Sequence, residues 1–178
     1  MKNLELFKAD LKALIQLGAK LELALLVKTH GSYEVAKALK AKGAEEDFLK
    51  KLPSFNVSYE AWYSECLPLI KQTLPDRLQD FRDHFEVPKN RKNITYATYR
   101  IQDALKGIRV TRPPYDEVIV DSSAAVPHFQ QQCAILMAVE QRFKSSLFDI
   151  RQLVQADLFD SEIEAARELH RHKFLPSS

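Results

Sequence analysis

Eight positions in the second half of the chain constrain its fold more than any other feature: Phe129, Cys133, Leu136, Glu140, Phe143, Leu147, Ile150 and Val154 follow one another in alternating steps of four and three. That spacing lays one seam along a helix, apolar throughout except for the charge at Glu140. A seam this long is stable only when other helices cover it. A charge inside it is costly unless it meets a partner or water, so Glu140 marks either a register-setting pair or a polar site.

A second seam lies near the start of the chain. Leu4, Phe7, Leu11, Leu14, Gly18, Leu21 and Leu25 step by three and four. Asn3 is the expected N-cap and Gly31 the expected end. Glycine inside a helix costs about 1 kcal/mol against alanine, so Gly18 either breaks this helix or admits a close neighbour. Two long antiparallel helices with shorter ones between them predict a mainly α helical bundle.

The intervening segments follow from their start and stop signals. Short helices are expected over Tyr33–Lys42 and Ala44–Lys51. A stronger one is expected over Ser58–Thr73, carrying Tyr59, Trp62, Tyr63 and Cys66, with Pro68 either kinking it or starting a new turn. Further helices are expected over Pro75–Phe85 and Thr95–Lys106. The one strand signal is Ile108–Thr111 and Val118–Val120, a small β-hairpin at about 108–120. Asp121-Ser122-Ser123 then launches the long helix. Ser161 and Glu164 form a capping box, so a separate last helix is expected to open there.

A chain of 178 residues suits one domain over 1–178, with a possible subdivision into 1–88 and 94–174. Only 4 glycines argue against a turn-rich β fold, and they leave no phosphate-binding loop. A net charge of +2 excludes a global field for nucleic acid. No C-x-x-C or H-E-x-x-H occurs, so neither metal nor cofactor is expected. No apolar run reaches membrane-spanning length, and the first residues lack the pattern of a secretion signal, so the expected location is cytoplasmic. Cys66 and Cys133 both sit in apolar helical patterns, which favours free thiols over a disulfide.

Three constellations carry possible chemistry. Arg167 and His172 lie five residues apart on the last helix; a histidine can move a proton and an arginine can hold a phosphate. Arg77 and His84 satisfy the same loose pattern, and a basic helix end gives it with no function at all. The polar segment with Lys89, Arg91 and Lys92, followed by Tyr96, Tyr99 and Arg100, offers cations for phosphates and rings for bases. A solvated loop is the alternative. Tyr59, Trp62 and Tyr63 read as core packing rather than as the lining of a ligand pocket.

The stretch from Phe143 to Glu162 resembles a family of uncharacterised bacterial proteins carried on mobile elements, often beside restriction–modification genes. Tyr59–Ser64, Leu74–Leu78 and the stretch from Ile101-Gln102-Asp103 to Val110-Thr111 are similar to that family as well. The resemblance implies a helical protein in a bacterial defence or mobile-element setting. It also implies a further small-residue-rich, HEPN-like helical segment beyond Ser178, so that this chain is expected to be a shortened form. In HEPN-type ribonucleases an R-x(4–6)-H motif from two protomers meets in a dimer groove.

The expected function is that of a non-catalytic accessory protein acting by helix-mediated contact. Its partner is another protein or a second copy in a homodimer, with Phe129, Leu136, Glu140, Phe143 and Leu147 at the interface. Two readings stand beside it. One is a metal-independent ribonuclease using Arg167 and His172. The other is an RNA- or DNA-binding protein using Lys89, Arg91, Lys92 and Arg100.

Overall fold

A computed structural model describes residues 2–40 and 43–173; at 2–4, 44, 46, 147–154, 156–157 and 170–173 it describes the backbone alone. The protein is mainly α with one small two-stranded hairpin. The helices are α1 (Lys2–His30), α2 (Ser32–Ala38), α3 (Ala44–Lys50), α4 (Phe55–Thr73), α5 (Leu78–Asp83), α6 (Ile101–Leu105) and α7 (Val126–Lys173). The strands β1 (Val110–Arg112) and β2 (Glu117–Val120) lie between α6 and α7, and short 3-10 turns precede α5 and α7. The chain divides into two compact units, Met1–Glu140 and Gln141–Ser178.

In the first unit the two seams behave as their spacing predicts. Leu11, Leu21 and Leu25 of α1 are buried, and so are Phe129 and Leu136 of α7. Gln130 hydrogen-bonds Glu22 across the two helices at 2.9 Å. One turn further along α7, Cys133 lies beside Gly18. Rising numbers on α7 therefore meet falling numbers on α1, and the two run antiparallel.

The centre of this unit is aromatic. Tyr59 and Trp62 from α4 pack on Phe129 of α7 with ring centroids 5.7 and 5.0 Å apart. Tyr63 stacks on Phe81 of α5 at 5.4 Å. The buried Gln132 side chain ties three elements together: it accepts from the Tyr59 hydroxyl at 2.7 Å and donates to the Phe81 carbonyl at 2.9 Å. Both partners are themselves buried, so the amide is satisfied where an apolar residue would leave two polar groups unpaired.

Gly18 does not break α1; it admits Trp62. A β-carbon at Gly18 would lie 3.2 Å from Trp62 Cζ2 and 3.5 Å from Cys133 Sγ. Here the indole Nε1–H donates to the Leu14 carbonyl at 2.9 Å, one helical turn before Gly18. In a regular helix that carbonyl also accepts from the Gly18 amide, so its two lone pairs are both used.

Several expected boundaries are corrected. The helix expected over Thr95–Lys106 is confined to Ile101–Leu105. Arg100 is extended, and residues 95–98 fold instead into a turn held by Thr98, whose hydroxyl donates to the Asn93 carbonyl at 2.7 Å. The short α6 abuts the end of α5: the Ile101 and Gln102 amides donate to the His84 and Phe85 carbonyls, each at 3.2 Å. Helix α2 stops at Ala38, short of Lys42, because Lys40 turns to a φ of 52°. The expected Pro75–Phe85 helix is a turn followed by the shorter α5.

The largest correction concerns Ser161, where α7 does not restart. The helix runs unbroken from Val126 to Lys173. No glycine or proline stands between Pro127 and Pro176, and a capping box without a breaker ahead of it does not end a helix.

The hairpin matches its expected place. Val110 pairs with Val120, Thr111 with Val118 and Arg112 with Glu117, with a bulge between the first two pairs. Val120 enters the core, and the Tyr99 hydroxyl donates to the Ile108 carbonyl at 2.8 Å. A lone hairpin gains its stability from such anchoring.

Candidate functional site

The basic segment separates into two kinds of residue. Lys89 and Lys92 are exposed. Arg91 and Arg100, expected to serve nucleic acid, are turned inward. The Arg91 guanidinium grips the Asp103 carboxylate with both Nη atoms, the Nη2–Oδ1 distance being 2.9 Å, and also donates to the Thr98 carbonyl at 3.2 Å. Asp103 is only 1% exposed, and this pairing holds the Arg91 pKa above its usual value. The second Asp103 oxygen also accepts from the Arg100 amide at 2.9 Å, which caps α6. Arg100 Nη1 donates to the Ala97 and Tyr99 carbonyls at 3.0 and 2.8 Å. Both arginines fasten a loop.

Arg167 is exposed on α7, whereas the His172 side chain lies outside the described residues. The looser Arg77/His84 pair is joined through Asp80. Arg77 Nη2 bridges to Asp80 Oδ2 at 2.7 Å, and Asp80 Oδ1 lies 3.5 Å from His84 Nε2. From the start of α7, His128 places its Nδ1 3.0 Å from His84 Nδ1. No motif marks His128 in the sequence.

Burial, then the nearby Arg100 guanidinium and His84, push His128 down to about 4. Burial also lowers His84, aided by Arg100 and Arg77 and opposed by Asp80 and Asp83. Both rings are therefore neutral at pH 7. Each has its neighbour inside the fold: His84 Nε2 faces Asp80, and the two Nδ1 atoms face each other. This arrangement clasps α5 to α7; it does not aim a basic nitrogen at a substrate.

Only one proton fits between the two Nδ1 atoms, so charging both rings breaks the clasp. A lowered histidine pKa leaves stability intact above the unfolded value of 6.5 and removes it as pH falls from 6.5 toward about 4. In a pH series of thermal melts the protein should lose roughly 1 kcal/mol per pH unit over that window, partial exposure included. His128→Gln should flatten the slope. An unchanged slope would contradict the assignment.

The expected interface residues also separate. Phe129 and Leu136 are 0% and 1% exposed and belong to the core of the first unit, so neither is available to a partner. Glu140 and Phe143 are half-buried, and the Leu147 side chain lies outside the described residues. Apart from Met137, at 58%, the exposed large apolar groups of α7 among the described residues lie further on: Leu158, Phe159 and Leu169 are 60%, 66% and 65% exposed and Ile163 is 38% exposed. At about 100° per residue they share an arc of roughly 140° on the helix. A seam followed only to Val154, with a helix break expected at Ser161, hides this stripe.

The remaining candidates are inert. Tyr59, Trp62 and Tyr63 are core. Cys66 and Cys133 are free thiols, Cys133 being pushed up to about 12 by burial and then by Glu22, so both stay protonated. A cavity of about 560 Å³ lies beside Lys28, Lys50 and Ser54. The Lys28 ammonium there already donates to Asn56 Oδ1 at 2.7 Å and the Ala104 carbonyl at 3.2 Å. Among the described residues no group of three or more His, Cys, Asp or Glu side chains could hold a metal ion, and no helix is long and apolar enough to cross a membrane.

Comparison with protein-family models, with curated proteins and with solved structures finds no match to this chain.

Proposed function

We propose that this is a non-catalytic interaction protein that acts through the second unit of α7, and that the contact it makes is a homodimer. The observation that carries this reading is the stripe of Leu158, Phe159, Ile163 and Leu169, large apolar side chains exposed along one face of a helix. Polar and charged residues occupy the opposite face, Asp160, Glu164 and Arg167 among them. Such a helix gains free energy when a second helix covers its apolar side. The engaged imidazoles and inward-turned arginines of the first unit support a structural reading of those groups. A cytoplasmic accessory role in a bacterial defence or mobile-element system, the setting implied by the resemblance, belongs to the same proposal.

The test is sedimentation of the chain beside a Leu158→Glu/Phe159→Glu variant. The unmodified chain should dimerise, and the variant should do so at least about a hundredfold more weakly, since two charges would enter the centre of the contact. Equal association by both proteins would contradict the proposal.

A further inference from the structure

The net charge of +2 hides an uneven distribution. Residues 89–112 carry seven basic side chains against the single acid Asp103, so the rest of the chain is net acidic. Asp103 is buried and held by Arg91, which leaves the exposed part of this segment cationic.

The fold occupies three of the seven bases. Arg91 and Arg100 turn inward, and Arg112 faces Glu117 at 3.9 Å. Lys89, Lys92, Lys106 and Arg109 remain exposed, and among the described residues none of the four enters an ion pair. The two stretches that carry them are tied to one residue. Arg91, between Lys89 and Lys92, grips the Asp103 carboxylate, while the Ile108 amide, beside Arg109, donates to the Asp103 carbonyl at 3.0 Å. The Tyr99 hydroxyl adds its bond to the Ile108 carbonyl. Four exposed cations are thereby fastened about one node.

Tyr96 stands in the same loop and is 63% exposed. Between 89 and 112 it is the only large apolar group so exposed among the described residues. Cations for phosphates and an open ring for a base suit a single strand, whose base faces are accessible. A membrane surface takes an amphipathic helix with several apolar anchors, which this segment does not offer.

We infer that residues 89–109 form a binding surface for single-stranded nucleic acid, with Lys89, Lys92, Lys106 and Arg109 on phosphates and Tyr96 stacked on a base. The surface lies wholly in the first unit and does not depend on the contact made through α7.

Fluorescence anisotropy of the full chain with a labelled oligothymidylate of about 12 nucleotides tests it. Four phosphate contacts predict that log affinity falls with log salt at a slope of about −2.8, a loss of about fiftyfold between 50 and 200 mM. Lys89→Glu/Lys92→Glu should weaken binding at least about tenfold and halve that slope. Tyr96→Ala should weaken it about tenfold at an unchanged slope. All three positions are exposed, so both variants should melt with the parent. Binding that is absent, or that both variants leave unchanged, would overturn the inference. Loss in the lysine variant but not in Tyr96→Ala would mean a general polyanion surface and would overturn the single-strand assignment. Tighter binding to phosphatidylserine vesicles than to the oligonucleotide would overturn it in favour of a membrane surface.

Discussion

Arg91→Ala should lower the melting temperature by about 10 °C, the effect of roughly 3–5 kcal/mol in a chain of this length. The size follows from what the substitution leaves behind. Asp103 is 1% exposed and is gripped by both arms of the guanidinium. Without Arg91 its carboxylate keeps only the Arg100 amide, and a buried charge with one neutral donor is far less stable than a fully paired one. The damage should spread, because the same carboxylate caps α6 and because Arg91 also holds the Thr98 carbonyl of the preceding turn. Arg91→Lys should recover part of the loss, since a point charge replaces one arm of the fork but not both. Lys89→Ala and Lys92→Ala should each stay within about 0.5 kcal/mol of the parent, as exposed substitutions do. Differential scanning calorimetry of the four variants decides the matter. Equal melting temperatures for Arg91→Ala and Lys89→Ala would mean that Arg91 does not fasten this loop.

Trp62→Ala should cost a similar 3–5 kcal/mol, by cavity formation. The ring is 1% exposed and packs within 6.0 Å, centroid to centroid, of Tyr59, Phe81 and Phe129. Its loss empties the place where α1, α4, α5 and α7 meet and leaves the Leu14 carbonyl without its second donor. A coupled effect separates this account from general core damage. In the parent, Gly18→Ala gains about 1 kcal/mol of helix propensity but drives its new methyl to 3.2 Å from the indole. In the Trp62→Ala background that obstruction is gone, and Gly18→Ala should stabilise by the full propensity difference. A double-mutant cycle in urea measures the coupling. Additivity of the two substitutions would contradict the close approach.

These residues also show what the sequence could reveal. The seams of α1 and α7 were legible because burial imposes a period that any partner must respect. Gly18 was legible as an anomaly in that period, and the structure supplies its reason in Trp62. The segment Thr95–Lys106 reads as a helix with Tyr96, Tyr99 and Leu105 among its large residues, whereas the extended Arg100 that interrupts it is held by carbonyls and a carboxylate of its own neighbourhood. The inward turn of Arg91 depends on Asp103 twelve residues away, a pairing that no local pattern encodes. His84 and His128 are forty-four residues apart and meet only because α5 and α7 pack together. The exposed stripe of α7 was present in the spacing of Leu158, Phe159, Ile163 and Leu169, but the capping box at Ser161 divided it between two expected helices.

The central claim is that α7 pairs with a second copy of itself, and the mass of the unmodified chain tests it most directly. Light scattering across a hundredfold range of concentration should show a mass rising from 20.5 kDa toward twice that value. A mass that stays at that of one chain over the whole range would contradict it.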